Sequence, residues 1–289
     1  MRHALFAFLF ATTLTLVLSY LQFFTQHNLL ARFAGDSGVF KDHIFTGFLF
    51  AFAIYCYMVI AILYPKWRMT AALFALLAAY NVLFINVGRS GYLVWFALML
   101  LLAWQQYRWR GWLISFIVTL LVIAGSLLLS PSFKSRYAMT HHEIQGYEHG
   151  KMNTSIGLRL HFYETSIQLI RQHPWFGFGT GGYQHAYTVT DSTQFGVKNN
   201  PHSEYLNITV QFGLIGLGVL LLLFIVHWQQ SFYLTSISQF LAQGVLVAIA
   251  VGSLFNSWLM DNVEGLFYIF FYRDGVCKRV TRTDLFSSF

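Results

Sequence analysis

Residues 201–226 read PHSEYLNITVQFGLIGLGVLLLLFIV: an imidazole, a hydroxyl and a carboxylate side by side, running straight into a largely apolar stretch. A run of some 20 apolar residues is what an α-helix needs to cross about 30 Å of hydrocarbon. In water such a segment would have to be buried all round. In a bilayer it needs no further covering, and its polar head marks the place where the helix meets the aqueous phase.

The composition requires the bilayer. The chain has 289 residues, of which 56% are hydrophobic and only 10% charged, against about 25% in an ordinary soluble domain. Thirty Phe, 16 Tyr and 8 Trp suit helices that face lipid and end in interfacial rings. The net charge of +7 in this setting points to anionic lipid headgroups or a phosphorylated lipid, and no nucleic-acid motif is present. Cys56 and Cys277 are far apart and form no CxxC pair, so neither a disulfide framework nor a thiolate metal site is expected.

Working outward, further apolar runs lie at 4–24, 44–64, 70–87, 91–104, 112–130, 239–260 and 264–272. The fold class expected is all-α: a polytopic transmembrane helical bundle with about seven or eight apolar segments. The first run lacks a small-residue cleavage site and is taken as an uncleaved helix. Lys66 with Arg68, Arg108 with Arg110, and Arg273 with Lys278 and Arg279 fall on one side by span counting, and that side is expected to be cytoplasmic. The other side receives 25–43, the tight turn at 88–91, the long insertion 131–204 and residues 261–264. The insertion carries many basic residues, but loops longer than about 60 residues are largely exempt from the charge rule. The organisation expected is therefore transmembrane helices over 1–130 with a periplasmic turn at 88–91, a large periplasmic loop over 131–204, transmembrane helices over 205–272, and a polar cytoplasmic tail over 273–289.

Within the insertion, Ile156, Leu160, Tyr163, Ile167 and Ile170 recur at helical spacing after the cap candidates Asn153, Thr154 and Ser155 and before Pro174. An amphipathic helix over 156–172 is expected, followed by a glycine-rich turn at 174–183.

Several residues qualify as chemistry-bearing. Seven of the eleven histidines lie in the insertion, but no pair has HExxH spacing and no cysteine is near, so no metal site is expected. The glycine-rich turn follows a helix and lacks the Lys-Ser/Thr of a P-loop, which argues against a nucleotide. Arg89 sits between two apolar runs in a turn of a few residues on the side where short-loop arginines are disfavoured; it is either a snorkelling interfacial residue or a bidentate grip on phosphate. Arg159, on the amphipathic helix, is either a solvated residue, a partner of Glu143 or Glu164, or a second cation of a site. His202, beside Ser203 and Glu204 just before an apolar helix, is a candidate general base near the membrane surface. Gly213 and Gly216 would let a neighbouring helix approach closely.

Together these elements resemble a known family. His202-Ser203, nine residues, then Gly213-Leu214-Ile215-Gly216 fits the H-[NSQ]-x9-G-x-x-G pattern of the bacterial O-antigen ligase and polymerase superfamily, which includes oligosaccharyltransferases acting on pilin. Arg89-Ser90-Gly91-Tyr92-Leu93 resembles its R-x3-L element in a periplasmic turn. The segment 155–160 followed by His173-Pro174-Trp175-Phe176-Gly177-Phe178-Gly179 resembles its large periplasmic loop with an arginine and an hPxxGxG turn, and 256–264, NSWLMDNVE, the stretch before its last helices. The match runs over roughly 70–270, in order and on the expected side. Members usually have around a dozen membrane helices, several of them before the R-x3-L turn; about three precede Arg89 here, so the chain looks short at its N-terminus.

The resemblance implies an inner-membrane glycosyltransferase with its site on the periplasmic side. Its donor would be an undecaprenyl-diphosphate-linked glycan, its acceptor most simply lipid A-core in lipopolysaccharide synthesis, with no cofactor and no metal. Arg89 and Arg159 would hold the diphosphate, and His202 would activate or position the acceptor hydroxyl. Polymerisation of O-antigen and protein O-glycosylation share this donor chemistry. A transporter of the lipid-linked glycan is the non-enzymatic alternative; it would call for charged residues inside the spans, which are nearly free of them.

Overall fold

The computed structural model describes residues 2–25, 27, 37–86, 88–108, 110–111, 113, 116–117, 125, 131–150, 152–190 and 199–272. Among them the regular elements are all helical: α1 (Arg2–Thr25), α2 (His43–Leu63), a 3₁₀ turn (Pro65–Trp67) into α3 (Arg68–Tyr80), a π-helical turn (Asn81–Ile85), α4 (Arg89–Tyr107), α5 (Pro131–Glu148), α6 (Ser155–Gln172), α7 (Gly182–Thr190), α8 (Glu204–Ser231), α9 (Ser236–Gly252) and α10 (Asn262–Tyr272).

Among the described residues, four helical stretches are long and apolar enough to cross a membrane: Ala4–Thr25, His43–Leu63, Pro65–Ile85 and Glu204–Ser231. The chain is thus a helical membrane protein. α4, which ends in Gln105-Gln106-Tyr107, is not among the four, and Ser236–Gly252 and Asn262–Phe271 are apolar but shorter. The expected run at 112–130 and the tail at 273–289 lie mostly or wholly outside the described residues.

The helices divide into two compact units. The first comprises Met1–Lys134, His227–Gly252 and Phe267–Phe289; the second, Ser135–Val226 and Ser253–Leu266. In the first unit α2 is the core: most of its residues from Thr46 to Ala61 are buried, which follows from its being hydrophobic all round. Phe8, Phe48, Phe52, Phe267 and Phe271 interlock about it at centroid separations of 4.9–5.8 Å. α2 and α4 approach closely at Gly47 and Gly91, where a Cβ on Gly91 would lie 3.0 Å from the Gly47 Cα. Lipid supplies no hydrophobic drive between helices, so small residues that admit close packing do that work.

Several buried polar groups of this unit pair with one another, the arrangement that hydrocarbon favours. The Tyr55 hydroxyl lies 2.9 Å from Gln105 Oε1 and 2.6 Å from the Phe240 carbonyl. Gln105 Nε2 donates to Gln243 Oε1 at 2.8 Å, Gln243 Nε2 to Ser231 Oγ at 3.0 Å, and Ser231 to the Trp228 carbonyl at 2.6 Å.

In the second unit, Phe162, Leu169, Tyr183, Ala186, Tyr187 and Val210 form the core. α6 starts where expected, with the Thr154 hydroxyl accepting from the Gly157 amide at 3.0 Å. Its packed face is offset from the expected one: Phe162, Thr165, Ser166 and Leu169 are buried, whereas Ile167 is exposed. α7 covers one side of α6, and that contact, rather than the apolar periodicity, selects the buried stripe. α5 is an additional helix that the sequence pattern did not indicate. It is tied to the start of α6 by Glu143, whose carboxylate accepts from the Ile156 amide at 3.2 Å, and to its middle by the Tyr147 hydroxyl, which donates to Glu164 at 2.8 Å.

Candidate functional site

Arg89 lies in the first unit. It is not a loop residue, as its place between two apolar runs suggested, but the first residue of α4, with Gly88 in the N-cap position supplying no side chain to the first turn. The preceding backbone is pinned. Asn86 N–H donates to the Asn81 carbonyl at 2.7 Å, Gly88 N–H to Asn86 Oδ1 at 3.0 Å and Gly91 N–H to the Gly88 carbonyl at 3.2 Å. Asn81, fully buried, donates to Ser19 Oγ at 2.9 Å and so ties the π-helical turn to α1.

The start of α2 lies alongside. A Cβ on Gly88 would come within 2.7 Å of the His43 carbonyl, and the Gly47–Gly91 contact continues the approach one turn further in. The two helices therefore run parallel with adjoining N-termini, each carrying about half a positive charge. A half-buried guanidinium at the junction of two such ends makes a setting suited to an anion.

Arg159, His202, Gly213 and Gly216 belong to the second unit. His202 adopts a left-handed backbone, φ 55°, which is uncommon for a residue with a side chain. Three contacts hold it there. Its amide donates to Asn200 Oδ1 at 2.9 Å, its ring stacks on Phe162 at 5.9 Å and 27°, and its carbonyl lies 3.3 Å from the Tyr163 hydroxyl, which is also 3.1 Å from the Leu254 carbonyl. Phe162 and Tyr163 are consecutive on α6, and Arg159 precedes Tyr163 by one turn on the same face. Burial pushes the Tyr163 phenol above its ordinary pKa while the nearby Arg159 guanidinium opposes that rise. Arg159 and His202 are thus gathered by α6, with Tyr163 between them.

The neighbours of His202 act differently from what their adjacency in sequence suggested. Ser203 and Glu204 are buried and face residues 253–260: Ser203 Oγ lies 3.5 Å from the Ser253 carbonyl, and the Glu204 carboxylate accepts from the Leu259 and Met260 amides at 3.1 and 3.3 Å. Ser257 Oγ reaches back to Asn200 Oδ1 at 3.3 Å. The NSWLMDNVE stretch is therefore a support folded under the His202 loop. Glu143 and Glu164, candidate partners of Arg159, bond to the Ile156 amide and to Tyr147, respectively.

At Gly213 the close approach is made by the glycine-rich turn. α8 breaks at Gly213, where φ is 67° and ψ −166°, a region open essentially only to glycine. The break frees the carbonyls of Val210 and Gln211 and the amide of Leu214. The glycine-rich turn takes up all three: Phe178 N–H donates to Val210 O at 2.9 Å, Gly179 N–H to Gln211 O at 2.8 Å, and Leu214 N–H to Pro174 O at 2.7 Å. Gln211 Oε1 accepts in addition from the Gly181 amide at 2.6 Å. A Cβ on Gly213 would collide with the Trp175 carbonyl, and one on Gly216 with Phe212 of its own helix. Motifs that are separate in sequence, H-P-x-x-G-x-G and G-x-x-G, are two halves of one backbone arrangement.

Tyr163 and Phe162 are the site residues that sequence reading did not single out; Tyr163 counted only as an apolar position. The available signal was its spacing of four from Arg159. Among the described residues no group of three or more His, Cys, Asp and Glu side chains is gathered.

Comparison with known proteins agrees with these motifs. A 27% identical match over 133 residues, 43% of this chain and 33% of the relative, is to a Haemophilus influenzae protein described only as an uncharacterized protein. The chain thus spans about a third of that relative's length. The family model described as O-Antigen ligase matches residues 72–221, over half of the chain, and contains Arg89, Arg159, His202, Gly213 and Gly216. A helical membrane protein with these five residues in that matched span belongs to the O-antigen ligase family.

Proposed function

We propose that the chain is a glycosyltransferase of the bacterial inner membrane, with about seven or eight spans and the 131–204 insertion on the periplasmic side. It transfers a glycan from undecaprenyl diphosphate to an acceptor hydroxyl, that of lipid A-core in lipopolysaccharide synthesis. The observation that carries this reading is the cluster of Arg159, Tyr163 and His202: His202, in a left-handed backbone at the polar head of an apolar helix, stacks on Phe162 and is bonded through its carbonyl by Tyr163, which lies one turn of α6 from Arg159.

The chemistry follows from the charges. The acceptor O–H passes its proton to a His202 ring nitrogen as its oxygen bonds to the anomeric carbon. The bond from that carbon to the phosphate oxygen breaks, and its electron pair leaves on the diphosphate. A sugar hydroxyl is a poor nucleophile at neutral pH, so a base within hydrogen-bond reach is needed. Negative charge grows on the departing phosphate, where Arg159, and Arg89 at its paired helix ends, stabilise the transition state more than the ground state. Tyr163 positions His202 through its backbone carbonyl.

Complementation of an O-antigen-ligase-deficient strain tests the reading, with lipopolysaccharide resolved on a gel and equal membrane expression verified. Wild type is expected to restore the ladder, and His202→Ala to lose on the order of 10²–10³ in rate, the scale for one transition-state contact. Full turnover by His202→Ala would overturn the assignment. Longer polyprenyl-linked glycan without transfer to lipid A-core would instead identify an O-antigen polymerase, and glycan on protein an oligosaccharyltransferase.

A further inference from the structure

We propose that the groove between α1, α2 and α3 is a binding site for a negatively charged phospholipid, with an acyl chain along the groove and the headgroup phosphate at Lys66 and Arg68. The inference rests on the membrane character of the chain and stands apart from the glycosyl-transfer reading.

The groove has a volume of about 460 Å³ and belongs wholly to the first unit. That size falls within the roughly 300–1,000 Å³ usual for a site that encloses a small ligand. α1 contributes Leu5, Leu9 and Phe10 to its lining, α2 Ile60, and α3 Phe74. The Tyr57 hydroxyl, which could oppose a hydrocarbon chain, is instead bonded to Thr13 Oγ1 at 2.6 Å, and its ring stacks on Phe74 at 5.6 Å. An acyl chain there covers apolar surface without stranding that polar pair.

One end of the groove is different. Tyr64, Trp67 and Thr70 line it where α2 turns into α3, and that turn carries Lys66 and Arg68, both exposed. Amphipathic rings of this kind sit at headgroup level. Arg68 Nε donates to the Ala61 carbonyl at 3.3 Å, which holds the side chain against the end of α2 and leaves its terminal nitrogens for a phosphate. Thr13 pairs with Tyr57 and the Tyr20 hydroxyl with the Leu77 carbonyl, so α1 runs beside α3 in the same direction and begins at this end, with Arg2.

The chain supplies little countercharge. Asp36 and Asp42 are the only acidic residues before Glu143, and Asp42 caps the opposite end of α2. Cations that the protein leaves uncompensated, at the end of an apolar groove, complement an anionic lipid. The outer face of α3, where Leu73 and Leu76 are exposed, suits any lipid; the groove adds a cationic end that selects the headgroup. This position is distinct from that of Arg89, which adjoins the start of α2: the 21 residues of α2 put about 30 Å between the two ends.

Native mass spectrometry of the full chain in detergent, titrated with dioleoyl phosphatidylglycerol or dioleoyl phosphatidylcholine, reads the first lipid bound. Phosphatidylglycerol is expected to bind on the order of tenfold more tightly, the scale for two cations near one headgroup. Lys66→Gln alone should narrow that preference, and Lys66→Gln with Arg68→Gln should bring the two lipids to parity. Arg108→Gln with Arg110→Gln, which removes the same charge beyond the end of α4, should keep it. Thr70→Trp, at an exposed position lining the groove, should weaken both lipids several-fold while melting like wild type without lipid. Equal binding of the two lipids by wild type, a preference that survives Lys66→Gln with Arg68→Gln, or one lost equally in the α4 pair would overturn the headgroup assignment. Full affinity in Thr70→Trp would overturn the groove as the site. A dimer without bound lipid would overturn the proposal by making a second copy of the chain the occupant.

Discussion

Replacing Gly213 by alanine tests whether the family's G-x-x-G element is a backbone device. At φ 67° and ψ −166° an L-residue costs about 1–3 kcal/mol. The added Cβ also meets the Trp175 carbonyl, a backbone atom that cannot rotate away. Either α8 straightens or the turn moves off, and both abolish the bonds of Phe178 to Val210, Gly179 to Gln211 and Leu214 to Pro174. At about 1 kcal/mol each, that loss adds some 3 kcal/mol, and more where groups stay unpaired away from water. The sum, about 4–6 kcal/mol, is a large share of the roughly 5–15 kcal/mol that holds a typical protein together. Purified in detergent, Gly213→Ala should melt about 10–20 °C below wild type and show accelerated amide exchange at 177–179 and 214. Gly218→Ala is the control. Its Cβ meets nothing within 4 Å in the same helix, so it should melt at or slightly above the wild-type temperature. If the two variants melt together, the broken-helix account is wrong.

The remaining predictions concern the candidate site. Arg89→Ala should fold normally and lose about 10²–10³ in glycan-transfer rate, whereas Arg89→Lys, which keeps the charge without the bidentate fork, should recover only part of it in a membrane-based transfer assay. Equal activity of lysine and arginine would reduce the role of Arg89 to charge alone. Tyr163→Phe should lower the transfer rate by loosening the His202 loop, with the acceptor KM little changed. It should also shift the alkaline limit of stability. The folded phenol titrates above its unfolded value, so its protonated form contributes stability that is complete below about pH 10 and lost as pH climbs through the folded pKa. The phenylalanine variant, having no such proton to lose, should begin alkaline unfolding at higher pH; onset unchanged from wild type would show that Tyr163 is not held as described.

Much of this was legible in the sequence because it depends on local chemistry. The apolar runs at 4–24, 44–64 and 205–226 correspond to α1, α2 and α8, and Thr154 caps α6 as its residue type and position suggested. The helical character of Arg89 was harder to see. It looked like a loop residue because charge and apolar runs are read along the chain, whereas α4 begins where Gly88 meets the start of α2. α5 escaped notice because its sequence lacks a periodic apolar face, and the interactions that fasten it, through Glu143 and Tyr147, are with residues of α6.

The amino-acid order alone determined that this is a helical membrane protein with a polar insertion, since span length, charge scarcity and capping chemistry act within a few residues of themselves. It also supplied the motif set, Arg89, Arg159, His202, Gly213 and Gly216, by type and spacing. The work those residues do was decided in three dimensions. Ser203 and Glu204 are turned from His202 toward residues 253–260, Tyr163 is recruited to the His202 loop, and Gly213 is a break sealed by a turn more than thirty residues earlier. Each of these outcomes depends on a hydrogen bond between segments distant in sequence. Which amide meets which carbonyl across such a separation is set by how α6, the glycine-rich turn and α8 pack, and no local pattern encodes it.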